Sequence, residues 1–346
     1  MSTEEMLEEA NLRFSSDTKK GYSRKIQGES HLYFDTTGQK ITDEKVIERI
    51  NSLAIPPAWK EVWICPNKNG YLQATGFDSK GRKQYRYHPL WVELSQQKKF
   101  EHMILFAQTL PKIRNHIKKV MDERGLSREK VLATVIWLLE NTLIRVGNEE
   151  YEEENKSYGL TTLKNRHVDI TKKEEIHFAF KGKSGVYHNV HVKSRKVAKI
   201  IKQCQELPGQ DLFEYKDENG DMQVVSSQHV NDYLREITNE DISAKNFRTW
   251  AGTMLAAKML TKTGLPETDS ATKKNITKVV KKVSQHLRNL PSTCRKYYIH
   301  PSVFDAYAHG YTLSNLQTHK KFQTFERVKS LNETENGIIG LLYLFE

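Results

Sequence analysis

Between Ser127 and Ile144 the residues Val131, Leu132, Val135, Ile136, Leu139, Leu143 and Ile144 fall at three- and four-residue steps. That is the period of one face of an α-helix, and Ser127 supplies the side-chain oxygen of an N-cap. A helix this apolar has to be buried against other helices. Helical patterning recurs over 100–109, 111–121, 193–207, 230–237 and 273–288, and after Ser243, where Phe247, Trp250, Ala251, Met254 and Leu255 share a face. The chain from about residue 100 is therefore predicted to be mainly helical.

Residues 21–94 have another texture: short, aromatic and rich in turns. His31 to Asp35 alternates and meets Thr36-Thr37-Gly38, a strand followed by a turn. Residues 43–53 read as a short helix capped by Thr42. Strands 62–65 and 71–76 flank Asn67-Lys68-Asn69-Gly70, a hairpin turn. The fold class expected is α+β, a small β-rich N-terminal domain followed by a larger mainly helical one that carries a β-hairpin. The boundaries are a polar segment 1–20, the β-rich domain 21–94, a linker at 95–99, the helical domain 100–310 and a C-terminal tail 311–346, for which no function is assigned.

A length of 346 residues suits two domains. The 54 Lys and Arg against 43 Asp and Glu leave a net charge of +11, which favours a polyanionic partner. The three cysteines, Cys65, Cys204 and Cys294, form no CxxC pair, which argues against a zinc ribbon or a disulfide framework and suits a reducing compartment. The first residues lack the apolar core of a signal peptide, and no stretch reaches the ~20 apolar residues of a membrane span. A cytoplasmic, nucleoid-associated protein is expected, with no membrane partner.

The run 75–89 places Lys80, Arg82, Lys83 and Arg86 beside Gln84, Tyr85 and Tyr87 around the turn at Gly81. Cations neutralise phosphates, glutamine can read an adenine edge, and tyrosine packs on sugar and base. Basic residues interleaved with aromatics point to nucleic acid more specifically than a lysine run, which is usually a solvated face. Lys80, Arg82, Lys83, Gln84, Tyr85 and Tyr87 are the candidate DNA contacts here.

In the helical part, strands 176–180 and 186–192 flank a turn with Lys183 at its tip. Gly182-Lys183-Ser184 is not a P-loop, because His177 stands where the pattern needs glycine and a strand follows instead of a helix. His188 and His191 lack partners for a metal site and read as strand surface. Arg145 follows the apolar helix directly, where it either caps the carbonyl end or serves a site. Arg248 lies in the first turn of the helix after Ser243, off its apolar face, where a cation is unfavourable unless an anion binds. The segment 288–301 holds Asn289, Arg295, Lys296, Tyr297 and Tyr298 between Pro291 and Pro301. A phenol beside cations can attack a phosphate, since they stabilise both the phenolate and the charge that builds on phosphorus.

Arg145, Lys183, Arg248, Asn289 and Tyr298 are together the parts needed to cleave a phosphodiester without a metal. Two guanidiniums clamp the non-bridging oxygens, a lysine protonates the leaving alkoxide, and an amide holds another oxygen. At this point the chain resembles the type IB DNA topoisomerases of the compact poxvirus and bacterial kind. The resemblance rests on 81–88 (Gly-Arg-Lys-Gln-Tyr-Arg-Tyr-His), 143–148 (Leu-Ile-Arg-Val-Gly-Asn), 159–167 (Gly-Leu-Thr-Thr-Leu-Lys-Asn-Arg-His), 180–183 (Phe-Lys-Gly-Lys), 245–250 (Lys-Asn-Phe-Arg-Thr-Trp) and 289–298, in the family's order, over roughly residues 20–310.

The resemblance implies that Tyr298 forms a 3′-phosphotyrosyl bond and frees a 5′-hydroxyl, that supercoils of either sign relax by strand rotation, and that the 5′-hydroxyl reseals the break. Arg145 and Arg248 match the arginines on the scissile phosphate, and Lys183 matches the general acid. Gln84 and Tyr85 match first-domain residues that touch DNA, and Lys164 and Arg166 of the 159–167 segment complete the DNA-contacting set. The resemblance also implies no ATP, no cofactor, no obligatory metal, and a monomer that closes on double-stranded DNA as a C-shaped clamp. Asn289 stands where poxviral and eukaryotic members usually carry histidine, which favours the bacterial type. Tyr298, nine residues after Asn289, has the family spacing, and Tyr297 is the fallback. A tyrosine recombinase, faintly suggested by Gln285-His286-Leu287-Arg288, places its tyrosine further downstream and lacks the 81–88 motif. A non-catalytic duplex clamp is the other alternative.

Overall fold

The computed structural model describes residues 3–27, 30–79 and 81–345, and the chain forms two compact units, Met1–Glu101 and His102–Glu346. The first unit begins with α1 (Thr3–Glu9) and is built on five strands, β1 (Tyr22–Gln27), β2 (Ser30–Phe34), β3 (Lys60–Ile64), β4 (Leu72–Phe77) and β5 (Lys83–Tyr87). They form one antiparallel sheet in the order β2-β1-β3-β4-β5. Helix α2 (Glu44–Ser52) contributes Ile50 to a core with Tyr33, Trp59, Val62, Ile64 and Ala74. Its N-cap is Asp43, one residue after the threonine expected, because the Asp43 carboxylate accepts from the backbone N–H groups of Lys45 and Val46. Arg24 is buried and donates to the carbonyls of Ile55, Pro56, Pro57 and Trp59. It thereby supplies donors to a proline-rich turn that has few of its own.

Most of the 81–88 motif is strand β5, which follows the turn at Gly81. Gly81 turns at φ +75°, and Thr75 then pairs with Tyr85 and Phe77 with Lys83. Alternating tyrosines suit a pleated edge, and the cations of β5 discourage pairing with another chain.

Helix α3 runs unbroken from Pro89 to Val120, so the polar stretch 95–99 is helical and Pro111 lies inside a helix. A helix-interior proline costs ~3 kcal/mol. Burial of Phe106, Leu110, Ile113 and Ile117 around it outweighs that, at roughly 1.5–3 kcal/mol for each side chain. The patterning in two pieces, 100–109 and 111–121, is thus one continuous element.

The second unit is organised around α4 (Arg128–Thr142), in which Val131, Leu132, Val135, Ile136 and Leu139 are all buried. Ser127 caps it as expected, by accepting from Lys130 N. After it come α5 (Glu149–Asn155), β6 (Val168–Ile170), β7 (Glu175–Lys181), β8 (Tyr187–Lys193) and α6 (Arg195–Gln205). β6, β7 and β8 make a three-stranded sheet, and the β7–β8 hairpin turns through Lys183–Gly185. Then follow the short hairpin of β9 (Glu214–Lys216) and β10 (Met222–Val224), and the helices α7 (Ser227–Thr238), α8 (Ala244–Thr263), α9 (Asp269–Leu287), α10 (Pro291–Tyr297) and α11 (Ser302–Ala308). Helices α6, α7 and α8 pack on α4.

The tail is part of this core. Helix α12 (Glu333–Phe345) buries Ile338, Ile339, Leu341 and Leu342 and packs on α11. Its Glu335 is buried and takes one 2.6 Å ion pair from Arg114 of α3, whose other partner is Glu140 of α4, also at 2.6 Å. The three cysteines are free and buried. Among the described residues no helix is long and apolar enough to cross a membrane.

Candidate active site

Tyr298 ends α10. Pro291 starts that helix at a position where a missing N–H is harmless, and Tyr298 N donates to Cys294 O at 2.9 Å. Cys294 before it and Ile299 and His300 after it are buried, so the tyrosine is half-exposed on a segment rooted in the core. Gly252 of α8 makes room for it: a Cβ there would lie 2.3 Å from the Tyr298 carbonyl oxygen. Tyr297, the alternative nucleophile, is exposed and has Lys296 Nζ 5.4 Å from its ring centre.

One turn before Gly252 stands Arg248. It is only 4% exposed, against the reading that placed it off the buried face. Its Nη1 donates to Leu143 O, its Nη2 to Leu287 O at 2.7 Å, and its Nε has no partner. Those carbonyls belong to the C-terminal ends of α4 and α9, where the helix dipoles are negative and offset the burial of a cation. Leu143 ends α4 in the left-handed region at φ 56°. It is therefore Arg248, not Arg145, that caps α4. The guanidinium carbon lies 5.4 Å from the Tyr298 ring centre. Burial, and then the charge of Arg145, lower the Arg248 pKa to about 10, with the nearby Tyr298 phenol acting the other way.

Arg145 donates through Nη2 to Asn289 Oδ1 and also hydrogen-bonds the Tyr298 side chain. Burial lowers its pKa and the tyrosine opposes the shift. Its backbone is fixed by Leu160 N and Thr161 N, which donate to the carbonyls of Arg145 and Val146 at 2.9 and 2.7 Å. Gly147 and Gly159 permit this approach, since a Cβ on Gly159 would sit 2.5 Å from Gly147 Cα. Asn289 follows the left-handed Arg288, its Oδ1 is taken by Arg145, and its Nδ2 is buried without a partner.

The structure thus brings Arg145, Arg248, Asn289 and Tyr298 together. Lys183 is exposed at the hairpin tip, next to Gly182, whose N donates to Val186 O at 2.8 Å. Two further residues escaped the sequence reading. His188 is buried, not surface: it pairs with Phe180 across the hairpin and stacks on its ring at 4.6 Å. Arg288 Nη1 reaches His188 Nδ1 at 2.8 Å, and Arg288 Nη2 donates to Asn189 O at 2.9 Å. Burial first, and then Arg288, Arg145 and Arg248, lower the His188 pKa to about 3, so the ring is neutral. The signal for His188 was its alternation with Val190 and Val192, opposite Phe178 and Ile176. His191 faces the other way and stacks on His177.

The candidate DNA contacts are more heterogeneous. Lys80 lies outside the described residues. Arg82 Nε and Nη2 both donate to Asp78 Oδ2, at 2.8 and 2.6 Å, and Gln84 Nε2 donates to the same oxygen at 3.0 Å. Lys83 pairs with Asp17 at 2.7 Å. Tyr85 and Tyr87 are 47% and 40% exposed with stacked rings 6.1 Å apart, an open aromatic platform. Lys164 is tied to Glu152 at 2.8 Å and to Asp211 at 2.6 Å. Burial works against its charge, but those carboxylates outweigh it and raise its pKa. Arg166 reaches the Tyr158 hydroxyl at 3.3 Å. Among the described residues no group of three or more His, Cys, Asp or Glu is arranged to hold a metal ion.

Comparison with known proteins identifies the family of the chain. Residues 82–331 match the family model described as eukaryotic DNA topoisomerase I, catalytic core, and residues 30–78 match that of the bacterial DNA topoisomerase IB N-terminal domain. The chain is 31% identical to the DNA topoisomerase 1B of Acanthamoeba polyphaga mimivirus over 81% of its own length and 85% of the viral protein. It is also 31% identical to DNA topoisomerase 1B of vaccinia virus strain Copenhagen over 40% of this chain and 45% of that protein. With DNA topoisomerase 1 of Mycosarcoma maydis it shares 27% identity over 45% of this chain and 17% of the fungal protein.

Proposed function

Since the chain belongs to the DNA topoisomerase I family and is a type IB enzyme, we propose that Tyr298 is its nucleophile and that Arg145, Arg248, Asn289 and Lys183 complete the site. The observation that carries this reading is the convergence of two guanidiniums on one phenol, beside an amide N–H group with nothing to donate to.

The chemistry follows from those groups. Tyr298 Oη, on a half-exposed side chain, gives up its proton to solvent water and bonds to phosphorus while the P–O5′ bond breaks, leaving a 3′-phosphotyrosyl ester. Arg145 and Arg248 stabilise the phenolate as it forms, then the charge on the non-bridging oxygens. Asn289 Nδ2 donates to one of those oxygens. Lys183 Nζ gives a proton to O5′, so the strand leaves as a neutral hydroxyl. Resealing runs the same steps backwards, with that hydroxyl as nucleophile. The ester conserves the bond energy, so no ATP is consumed, and rotation of the free end relaxes supercoils of either sign.

The substrate proposed is double-stranded DNA, met by a monomer in the nucleoid, with the β-rich unit and the helical unit closing on it as a clamp. The exposed Tyr85–Tyr87 platform and the net positive charge support this. Relaxation of supercoiled plasmid without ATP or magnesium, together with trapping of the covalent adduct, tests the reading. Tyr298→Phe is expected to lose the adduct and keep duplex binding. An adduct that persists in Tyr298→Phe and disappears in Tyr297→Phe moves the nucleophile by one residue.

A further inference from the structure

The tip of the β7–β8 hairpin is solvent-exposed, yet a general acid has to stand within hydrogen-bond reach of one leaving oxygen. Something must hold the hairpin against the segment that carries Asn289 and Tyr298. The structure offers a linkage of that kind. Arg288, the residue before Asn289, sends Nη1 to His188 Nδ1 at 2.8 Å and Nη2 to Asn189 O at 2.9 Å, two consecutive residues of β8.

The chemistry of the pair is unambiguous. A guanidinium only donates, so His188 Nδ1 accepts and the ring proton sits on Nε2. The ring is wedged in place: it stacks on Phe180 at 4.6 Å, and a Cβ on Gly182 would lie 2.5 Å from Nε2. Gly182 immediately precedes Lys183. The imidazole therefore connects Arg288 on one side to the backbone that presents the lysine on the other. Arg288 sits at φ 50°, ψ 55° as the C-cap of α9, a conformation that glycine adopts more readily. Its side chain is thus kept at a position where local backbone preference favours none.

We infer that Arg288 and His188 are positioning residues for Lys183, a two-part strut that sets the general acid relative to Asn289 and Tyr298. This rests on the proposed acid role of Lys183. Neither residue touches the reacting atoms; both act through the hairpin.

The test is single-turnover cleavage of two duplex substrates that differ only in the bridging atom at the scissile phosphate, 5′-oxygen or 5′-sulfur. A thiolate leaves without a proton, so the sulfur substrate does not need the acid. Arg288→Gly removes the strut while suiting the left-handed cap, and His188→Phe keeps the stack on Phe180 while deleting the acceptor. Both are expected to cleave the oxygen substrate about tenfold or more slowly, a part of the ~10²–10⁴-fold a general acid contributes, and to cleave the sulfur substrate at nearly the wild-type rate. Because the strut acts through the lysine, adding Arg288→Gly to Lys183→Ala is expected to cost nothing further.

Equal slowing of Arg288→Gly on both substrates, or no slowing at all, overturns the inference, as does an additive double variant. If His188→Phe does not fold, Arg288→Gly decides alone. Lys183→Ala separates the two readings. If sulfur fails to rescue it, the acid role itself falls. If sulfur rescues it but not Arg288→Gly, only the strut falls.

Discussion

Arg145 donates to the side-chain oxygen of Asn289, and this leaves Asn289 Nδ2 buried and unpaired. An amide has one accepting end and one donating end, so the arginine decides which way the asparagine faces. Asn289→Asp keeps an acceptor for Arg145 but turns a carboxylate oxygen toward the phosphate. Cleavage is expected to fall by about 10²–10³-fold, the effect of losing one oxyanion donor. A neutral histidine also pairs one acceptor with one donor. Asn289→His is therefore expected to stay within about tenfold of wild type, since it retains that donor. Single-turnover cleavage measures both, and equal loss in the two variants would show that the donor does not matter.

Arg248 joins two helix ends besides its proposed part in the reaction. Arg248→Ala leaves the carbonyls of Leu143 and Leu287 without their donor, at a cost of roughly 1–3 kcal/mol for each buried group. Arg145→Ala removes no such pair of carbonyl contacts. Both variants should lose cleavage by about 10²-fold or more, but only Arg248→Ala should also show a clearly lower Tm. Melting curves and cleavage rates on the same preparations check this.

Gly252 separates helix propensity from function. Alanine is a better helix former by about 1 kcal/mol, yet its methyl group would stand 2.3 Å from Tyr298 O. That neighbour is backbone and cannot swing away. Gly252→Ala is expected to displace Tyr298, the proposed nucleophile, and slow cleavage by about tenfold or more, as ~1 Å of misplacement can cost ~10²-fold. Wild-type cleavage kinetics in that variant would refute the close contact.

The Glu335–Arg114 pair gives stability a pH dependence. Burial raises the Glu335 pKa, but hydrogen bonds from Arg114 and Asn332 and the charge of Arg114 outweigh it, and the net shift is downward. A carboxyl held below its unfolded pKa stabilises the fold above that unfolded value, and the contribution disappears as pH falls through the folded pKa. Urea midpoints of wild type and Glu335→Gln should therefore differ at about pH 7 and converge as pH falls beneath the ordinary glutamate range, through the lowered folded pKa.

How much of this was visible in the sequence depended on whether the signal was local. The period of α4 and the turn at Asn67–Gly70 are written in neighbouring residues, and both elements form where expected. Pro111 and the polar run 95–99 suggested a break, but α3 is held by buried residues such as Phe106, whose ring meets Phe247 far away in the chain. Arg248 looked solvent-facing because periodicity counts only apolar residues. Its burial is made by carbonyls 105 and 39 residues away. Arg145 and Tyr298 stood out by chemistry alone. The Arg288–His188 contact spans 100 residues, and no spacing rule reaches that far.

The rooting of Tyr298 has a mechanical consequence. With Tyr298 in its proposed role as the nucleophile, the DNA strand is joined to it during rotation, and any torque stored in the duplex pulls on this one side chain. Cys294 behind it and Ile299 and His300 ahead of it are packed in the interior, and its carbonyl fills the space that a side chain on Gly252 would need. The attachment point is thus a fixed post and not a swivel. The turning has to take place in the nucleic acid, and the released 5′ end can return to a phosphorus that has not moved.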